Sequence, residues 1–151
     1  MTNDGITFDA LGPAEPLLAE STNDVNENSV VLRLTYRCTA CARPFRMLFM
    51  GDAGAQSEAR MLATGANLEA DVLKVGYHGS AYSSTPAFIV AIQPRYALIS
   101  VGRHNLFGPP AQTTLATLQE LGATVYRTDR CGAISVEAGA AITITPMLSC
   151  R

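Results

Sequence analysis

A layered α/β fold built on a mixed sheet is what this sequence predicts. Three observations carry that expectation: short apolar runs of strand length recur along the chain, single helical segments separate several of them, and glycine or proline marks the turns between. The composition agrees with a folded domain. Of 151 residues, 48% are hydrophobic and 16% charged, which excludes disorder as the main state and leaves enough interior for a core.

Taken in order, the first 28 residues are rich in Pro, Asn, Asp, Glu and Gly, with an extended stretch at 6–8 and turn signals at Gly12-Pro13 and Glu15-Pro16. They read as a short strand and a polar loop. From Val30, the alternation of Val30, Leu32, Leu34 and Tyr36 with Arg33 and Thr35 predicts a strand, and residues 45–50 predict its hairpin partner, ending at Gly51-Asp52. A helix over 55–64 follows from Ala55, Ala59, Leu62 and Ala66 at helical spacing, with Gly65 as a left-handed cap. Residues 71–75, apolar apart from one lysine, suit a buried strand. Thr85-Pro86 starts the next helix, because the hydroxyl can cap free amides and the proline's missing N–H costs nothing at the first position; Pro94 lies beyond its end. Residues 96–101 then predict a buried strand, and 112–121 a helix with Leu115, Leu118 and Leu121 on one side and Gly122 as cap. Short strands at 123–127, 133–137 and 141–145 complete the sheet, the last ones forming an antiparallel edge.

Eleven basic side chains against thirteen acidic ones give a formal charge of −2, which excludes the strongly basic balance of a stand-alone nucleic-acid binder. A polyanion would need metal ions or a local patch. No window reaches the roughly 18 apolar residues of a membrane-spanning helix, and the first residues lack the basic and apolar regions of a signal peptide, so the chain is expected to be soluble. Cys38, Cys41, Cys131 and Cys150 are few and irregularly placed for a disulfide scaffold. Cys38 and Cys41 have the spacing of a zinc knuckle, which Cys131 and Cys150 could complete, but the second pair lacks that spacing. Incidental hairpin cysteines are the preferred reading, with a redox dithiol or a disulfide as the remainder.

In open α/β sheets, polar side chains gather at strand ends, where loops hold them against a rigid frame. Asp52 follows the strand at 45–50; Tyr77, His78 and Ser80 follow the strand at 71–75; His104, Asn105 and Phe107 follow the strand at 96–101; Asp129 follows the strand at 123–127. An aspartate and a histidine on neighbouring strand ends can share a divalent cation. Plainer roles compete with that one. Asp52 could cap the helix after it, His78 could be satisfied by a turn carbonyl, and His104 could simply be solvated.

The wording of these segments decides between the readings. Asn28-Ser29-Val30-Val31-Leu32-Arg33-Leu34, Leu48-Phe49-Met50-Gly51-Asp52-Ala53, and Ala70-Asp71-Val72-Leu73-Lys74-Val75-Gly76-Tyr77-His78-Gly79-Ser80 resemble the metallo-β-lactamase-like domain of ComEC-type competence proteins. The resemblance continues through Ser83-Ser84-Thr85-Pro86-Ala87-Phe88, Pro94-Arg95-Tyr96-Ala97-Leu98-Ile99-Ser100-Val101-Gly102 and Tyr126-Arg127-Thr128-Asp129-Arg130-Cys131-Gly132-Ala133-Ile134, in the family's order.

The resemblance implies half of an αβ/βα sandwich, a mixed sheet with helices on one side. It implies a binuclear, zinc- or manganese-dependent hydrolase acting on phosphodiesters, with a nuclease role on incoming DNA. Asp52 matches the aspartate that bridges the two metals, and His78 matches the second histidine of the family's His-His-Gly-Ser motif; both are the expected catalytic and metal-binding residues. Tyr77, Ser80, Asn105 and Asp129 are expected around them, and the acidic residue usual in relatives at the position of Cys131 places that cysteine in a surface turn.

Three departures limit what carries over. Tyr77 stands where relatives have the first histidine, and its phenol, with an unperturbed pKa of about 10, is a poor zinc ligand. Gly108-Pro109-Pro110 stands where relatives have Gly-His-Pro. The His-x-His-x-Asp-His motif that supplies most ligands in the superfamily is absent, the chain having two histidines in all. The chain is therefore expected to be a C-terminal portion whose N-terminal half is supplied in cis or in trans, not competent alone, and associating as a homo-oligomer through an exposed sheet face. The parent family is associated with the bacterial inner membrane. A degenerate, non-catalytic module serving assembly or DNA contact is the alternative.

Overall fold

Six strands form one sheet in the order in which they occur along the chain: β1 (Gly5–Gly12), β2 (Val31–Arg37), β3 (Phe45–Phe49), β4 (Val72–Lys74), β5 (Tyr96–Ile99) and β6 (Thr124–Arg127). The computed structural model describes residues 5–19, 23–39, 41–108 and 110–150. β1, β2 and β3 pair antiparallel, and β3 to β6 run parallel. The central parallel strands, β4 and β5, are short and mostly apolar because both of their faces are covered.

On one face lie α2 (Ala55–Ala63), α3 (Pro86–Ile92) and α4 (Gln112–Glu120), preceded in the chain by one helical turn, α1 (Asp24–Glu27). Met61, Phe88, Ile89, Ile92 and Leu118 from these helices close over Val31, Leu48, Leu73, Ala97 and Ile99 of the sheet. A further turn, α5 (Thr128–Cys131), leads to β7 (Ile134–Ala138) and β8 (Ile142–Pro146), an antiparallel hairpin separate from the main sheet. Ile134, Val136, Ile142 and Ile144 of that hairpin pack with Phe45, Val72 and Leu98 on the sheet's other side. The α/β architecture and the mixed sheet match expectation. The antiparallel edge does not: the first strands form it, and the last two leave the sheet to cover its second face.

That hairpin covers only part of the face. Phe8 is in register with Leu34, Leu34 with Met47 and Met47 with Val72, so the apolar row that begins under the hairpin runs out to β1. There Ile6 and Phe8 remain about 60% exposed.

Buried carboxylates tie the helices to one another. Neither α2 nor α3 has a capping bond from its own N-cap residue. Glu27 instead accepts from the Ser57 amide (2.9 Å) in the first turn of α2. Glu58, on α2 and almost wholly buried, accepts from the amides of Ser84 (2.5 Å) and Thr85 (2.8 Å) at the start of α3. Burial pushes the Glu58 carboxyl above its ordinary range, opposed by those hydrogen bonds. Thr85 thus holds the predicted N-cap position while its hydroxyl is not the cap. The inward face of α2 is Ser57, Glu58 and Met61, whereas Ala59 points to solvent.

The cysteines depart from the preferred reading. Cys38 is bonded to Cys41 across the β2–β3 hairpin, and Cys131 to Cys150. Paired sulfurs offer no thiolates, which removes the zinc-knuckle alternative. Cys131 is buried at the end of α5, not in a surface turn, and its bond draws the residues after β8 back against Gly132.

Candidate functional site

The C-terminal ends of β3, β4, β5 and β6 lie side by side, and each contributes to one site. After β3 the chain turns at Gly51, whose φ of 56° is left-handed and whose side-chain position is crowded by Ser29 and the Val30 carbonyl. The Asp52 amide donates to Ser29 Oγ (3.1 Å), and its carboxylate meets His78. Gly54, not Asp52, is the N-cap of α2, so the capping role for Asp52 is not met.

After β4 the backbone passes through three consecutive left-handed residues, Tyr77 (φ 48°), His78 (φ 54°) and Gly79 (φ 80°). Such conformations cost roughly 1–2 kcal/mol for a residue with a side chain and persist only when the surroundings hold them. Here the Tyr77 amide donates to the Gly51 carbonyl (3.1 Å), Ser80 N to Tyr77 O (2.9 Å) and Ala111 N to Gly79 O (2.8 Å). A side chain on Gly76 would sit 2.7 Å from the Ala53 carbonyl, so the β3 and β4 turns meet backbone to backbone.

These constraints bring Asp52 and His78 together. His78 Nε2 lies 3.4 Å from Asp52 Oδ1, and His78 Nδ1 lies 2.7 Å from the Ser100 carbonyl at the end of β5. A carbonyl only accepts, so Nδ1 carries the hydrogen and, in the neutral ring, Nε2 keeps its lone pair toward the carboxylate. The plainer role of His78, satisfaction by a carbonyl, is therefore realised in a form that also leaves a ligand nitrogen beside Asp52. Metal-binding histidines are oriented in this way. Two ligands about 2.1 Å from one tetrahedral ion stand about 3.4 Å apart, so this pair fits a shared divalent cation. Among the described residues no three His, Cys, Asp or Glu side chains gather as a fuller ligand set.

His78 also lines a cleft of about 970 Å³ with Tyr77, Ser80, His104 and Asn105. Tyr77 does not present a metal-directed group: its phenol oxygen accepts from Asn23 Nδ2 (3.0 Å). Ser80 is buried, and its carbonyl accepts from Thr114 Oγ1 (2.9 Å), fastening the turn to α4. Asn105 Oδ1 accepts from the Phe107 amide (2.9 Å). His104 is exposed, as its solvated reading requires, but it stands on the wall of this cleft. Asp129 is not brought in. Arg127 holds it at 2.7 and 3.1 Å and keeps its carboxyl below the usual range, and the residue that β6 delivers to the cleft is Thr128. Pro109, one of the departures from the family pattern, lies outside the described residues.

Sequence reasoning missed Thr128, whose hydroxyl accepts from Val101 N and donates to Val101 O, both at 2.8 Å, bracing the β5 loop. It also missed Lys74 as a site residue. This last residue of β4 is half-buried, with Nζ donating to the Val75 carbonyl (3.2 Å). Burial pushes its ammonium below the ordinary range and the nearby Asp52 charge opposes that. A lone charge inside an apolar strand was the available signal.

No family model matches the chain. It is 32% identical over 137 residues to Competence protein ComA of Neisseria gonorrhoeae, covering 90% of this chain and 18% of that protein. It is 40% identical over 87 residues to ComE operon protein 3 of Bacillus subtilis (strain 168), covering 58% of this chain and 11% of that protein. The chain thus spans less than a fifth of the length of either curated relative. Among the described residues no helix is long and apolar enough to cross a membrane. Across most of its length, then, this chain is a homologue of one segment of a competence protein.

Proposed function

We propose that this chain is the C-terminal portion of a metallo-β-lactamase-type hydrolase domain that cuts phosphodiesters of DNA during uptake, and that it holds one side of a divalent zinc or manganese site with Asp52 and His78. The observation that carries this reading is the Asp52–His78 pair, oriented by the Ser100 carbonyl at the ends of three adjacent strands. When bound, a divalent ion supplies an acidified water and neutralises phosphate oxygens. The chain's own residues do the rest: Asp52 offers the carboxylate, Ser100 fixes the His78 ring and tautomer, and Thr128 braces the loop that carries Ser100. The remaining ligands come from an N-terminal half supplied in cis or in trans, within a parent protein associated with the bacterial inner membrane. DNA reaches the site there.

Purified chain is expected to bind manganese or zinc weakly and to show no phosphodiesterase activity alone. Isothermal titration should find that Asp52→Ala and His78→Ala each abolish the weak metal binding. Robust metal-dependent cleavage by the isolated chain would refute its incompleteness, and metal retained by both variants would refute the site.

One observation favours a second reading. The Tyr77 phenol, where relatives have a histidine, is engaged by Asn23, as expected of a degenerate module kept for assembly or DNA contact. If Asp52→Ala changes neither metal binding nor any function of the parent protein, that reading replaces the first.

The uncovered row at Ile6 and Phe8, beside a β7–β8 sheet of only two strands, is the face on which the N-terminal half or a second copy packs. We expect a homo-oligomer for the chain alone. In sedimentation velocity, Ile6→Lys with Phe8→Lys should shift it to a monomer; a wild-type chain that stays monomeric at high concentration would count against the idea.

A further inference from the structure

The parallel strands β3, β4 and β5 also begin side by side, at the end of the sheet opposite Asp52 and His78. Met47, Val72 and Tyr96 form one row of the ladder, so Arg46, Asp71 and Arg95 stand together one residue before it, an arginine on either side of the aspartate. Asp71 fixes this row. Its amide donates to the Arg46 carbonyl (2.9 Å), and its carbonyl accepts from the Arg95 amide (3.0 Å). Its carboxylate, almost wholly buried, accepts from the Arg46 amide (2.9 Å) and from both terminal nitrogens of Arg43. The two flanking guanidinium groups are left poorly matched. Arg46 reaches Glu69 at 4.0 Å, a carboxylate more than half exposed, in a pair worth little. Arg95 is exposed, and among the described residues its guanidinium has the Tyr96 ring, 5.6 Å away, and no carboxylate in ion-pair reach. The three arginines, with Glu69, Asp71 and the exposed Gln93 that ends α3, line one cavity of about 270 Å³.

We propose that this cavity binds a single phosphate group, that of a small phosphomonoester, with Arg46 and Arg95 holding its oxygens from two sides and Gln93 supplying a neutral donor. Charge argues for an anion. Three guanidinium groups share the cavity with two carboxylates, and the buried carboxylate is already spent on Arg43 and the Arg46 amide. Guanidinium forks match phosphate and carboxylate alike, so geometry has to separate the two. Arg46 and Arg95 are two strand spacings apart, about 10 Å between their Cα atoms. A tetrahedral group with oxygens pointing to both sides is served by both arginines, whereas a carboxylate fills one fork. Size and charge then limit the ligand. The cavity lies just below the range of small-ligand sites, about 300–1,000 Å³, and Glu69 in its lining together with a formal net charge of −2 on the chain opposes an extended polyanion. The site uses none of the residues proposed to hold metal and does not depend on them.

Isothermal titration with inorganic phosphate and with thymidine 5′-monophosphate, in EDTA so that no metal at Asp52 and His78 contributes, tests this. Both should bind at one saturable site, about tenfold more tightly than acetate. Arg46→Ala and Arg95→Ala should each weaken binding about tenfold, and Arg95→Lys should recover only part of the loss, because a point charge lacks the fork. Glu69→Gln should tighten binding about threefold by removing a like charge, a gain that a damaged fold cannot produce. Absence of phosphate binding, acetate bound as tightly as phosphate, or affinity unchanged in both alanine variants would overturn the proposal. So would an oligodeoxynucleotide bound more tightly than the monophosphate at equal phosphate concentration, because the occupant would then be a strand backbone.

Discussion

Replacing Glu58 by alanine is expected to cost the fold about 2–4 kcal/mol, because two buried amides at the start of α3 lose their acceptor and a cavity opens beside them. In thermal unfolding that corresponds to a fall of about 5–15 °C for a chain of this size. The loss is expected to depend on pH. Burial raises the folded pKa of Glu58 above its unfolded value, so its stabilising contribution is complete below the unfolded pKa and is lost as pH rises through the folded one. The difference between wild type and Glu58→Ala should therefore be larger near about pH 5 than near about pH 8. Glu58→Gln, which cannot ionise and keeps one of the two acceptor oxygens, should lose less stability than Glu58→Ala and flatten this profile. A Glu58→Ala chain that melts with the wild type at both pH values would show that α3 does not depend on this carboxylate.

Removal of the Cys131–Cys150 bond is expected to cost about 3 kcal/mol, the loop-closure entropy of its 19-residue separation. Cys131 is buried, and the loop contains the whole β7–β8 hairpin. Two strands alone are marginal, so the hairpin depends on its packing against Phe45, Val72 and Leu98 and on this covalent tie. Urea denaturation of a Cys131→Ser/Cys150→Ser chain under oxidising conditions should show the loss. The Cys38→Ser/Cys41→Ser chain, which opens only a turn with a separation of 3, should lose about 2 kcal/mol. Equal stability of the first variant and the wild type would refute the tie.

The strands and helices were legible because their signals are local. Alternation in β2, the apolar runs of β4 and β5, Pro86 at the first turn of α3 and Gly65 after α2 each act within a few residues. What failed required knowledge of a distant partner. Thr85 looked like a cap, but the acceptor came from Glu58, 27 residues earlier. Residues 141–145 carried strand character without stating which sheet they join, and they pair in a hairpin across the second face.

The site divides along the same line. Asp52 and His78, which the structure brings within 3.4 Å of each other, were legible as a pair because strand ends and family wording both pointed to them, whereas the Ser100 carbonyl that holds the His78 ring is backbone and carries no mark in a sequence. Asp129 resembled a site residue until Arg127, two positions away, took its carboxylate. Leu106 and Phe107 were legible only as apolar residues in a loop; their exposure had to be seen.

Strand order and chain order coincide from β1 to β6, so every pairing in the main sheet joins consecutive strands. A chain emerging from synthesis can thus add each strand to an edge already made, without holding that edge open for a later arrival. The one long return is the hairpin, which comes last and closes over strands completed well before it. Packing of that hairpin over Phe45, Val72 and Leu98 therefore requires β3, β4 and β5 to be in place beneath it, whereas the pairing of the main sheet asks nothing of the hairpin.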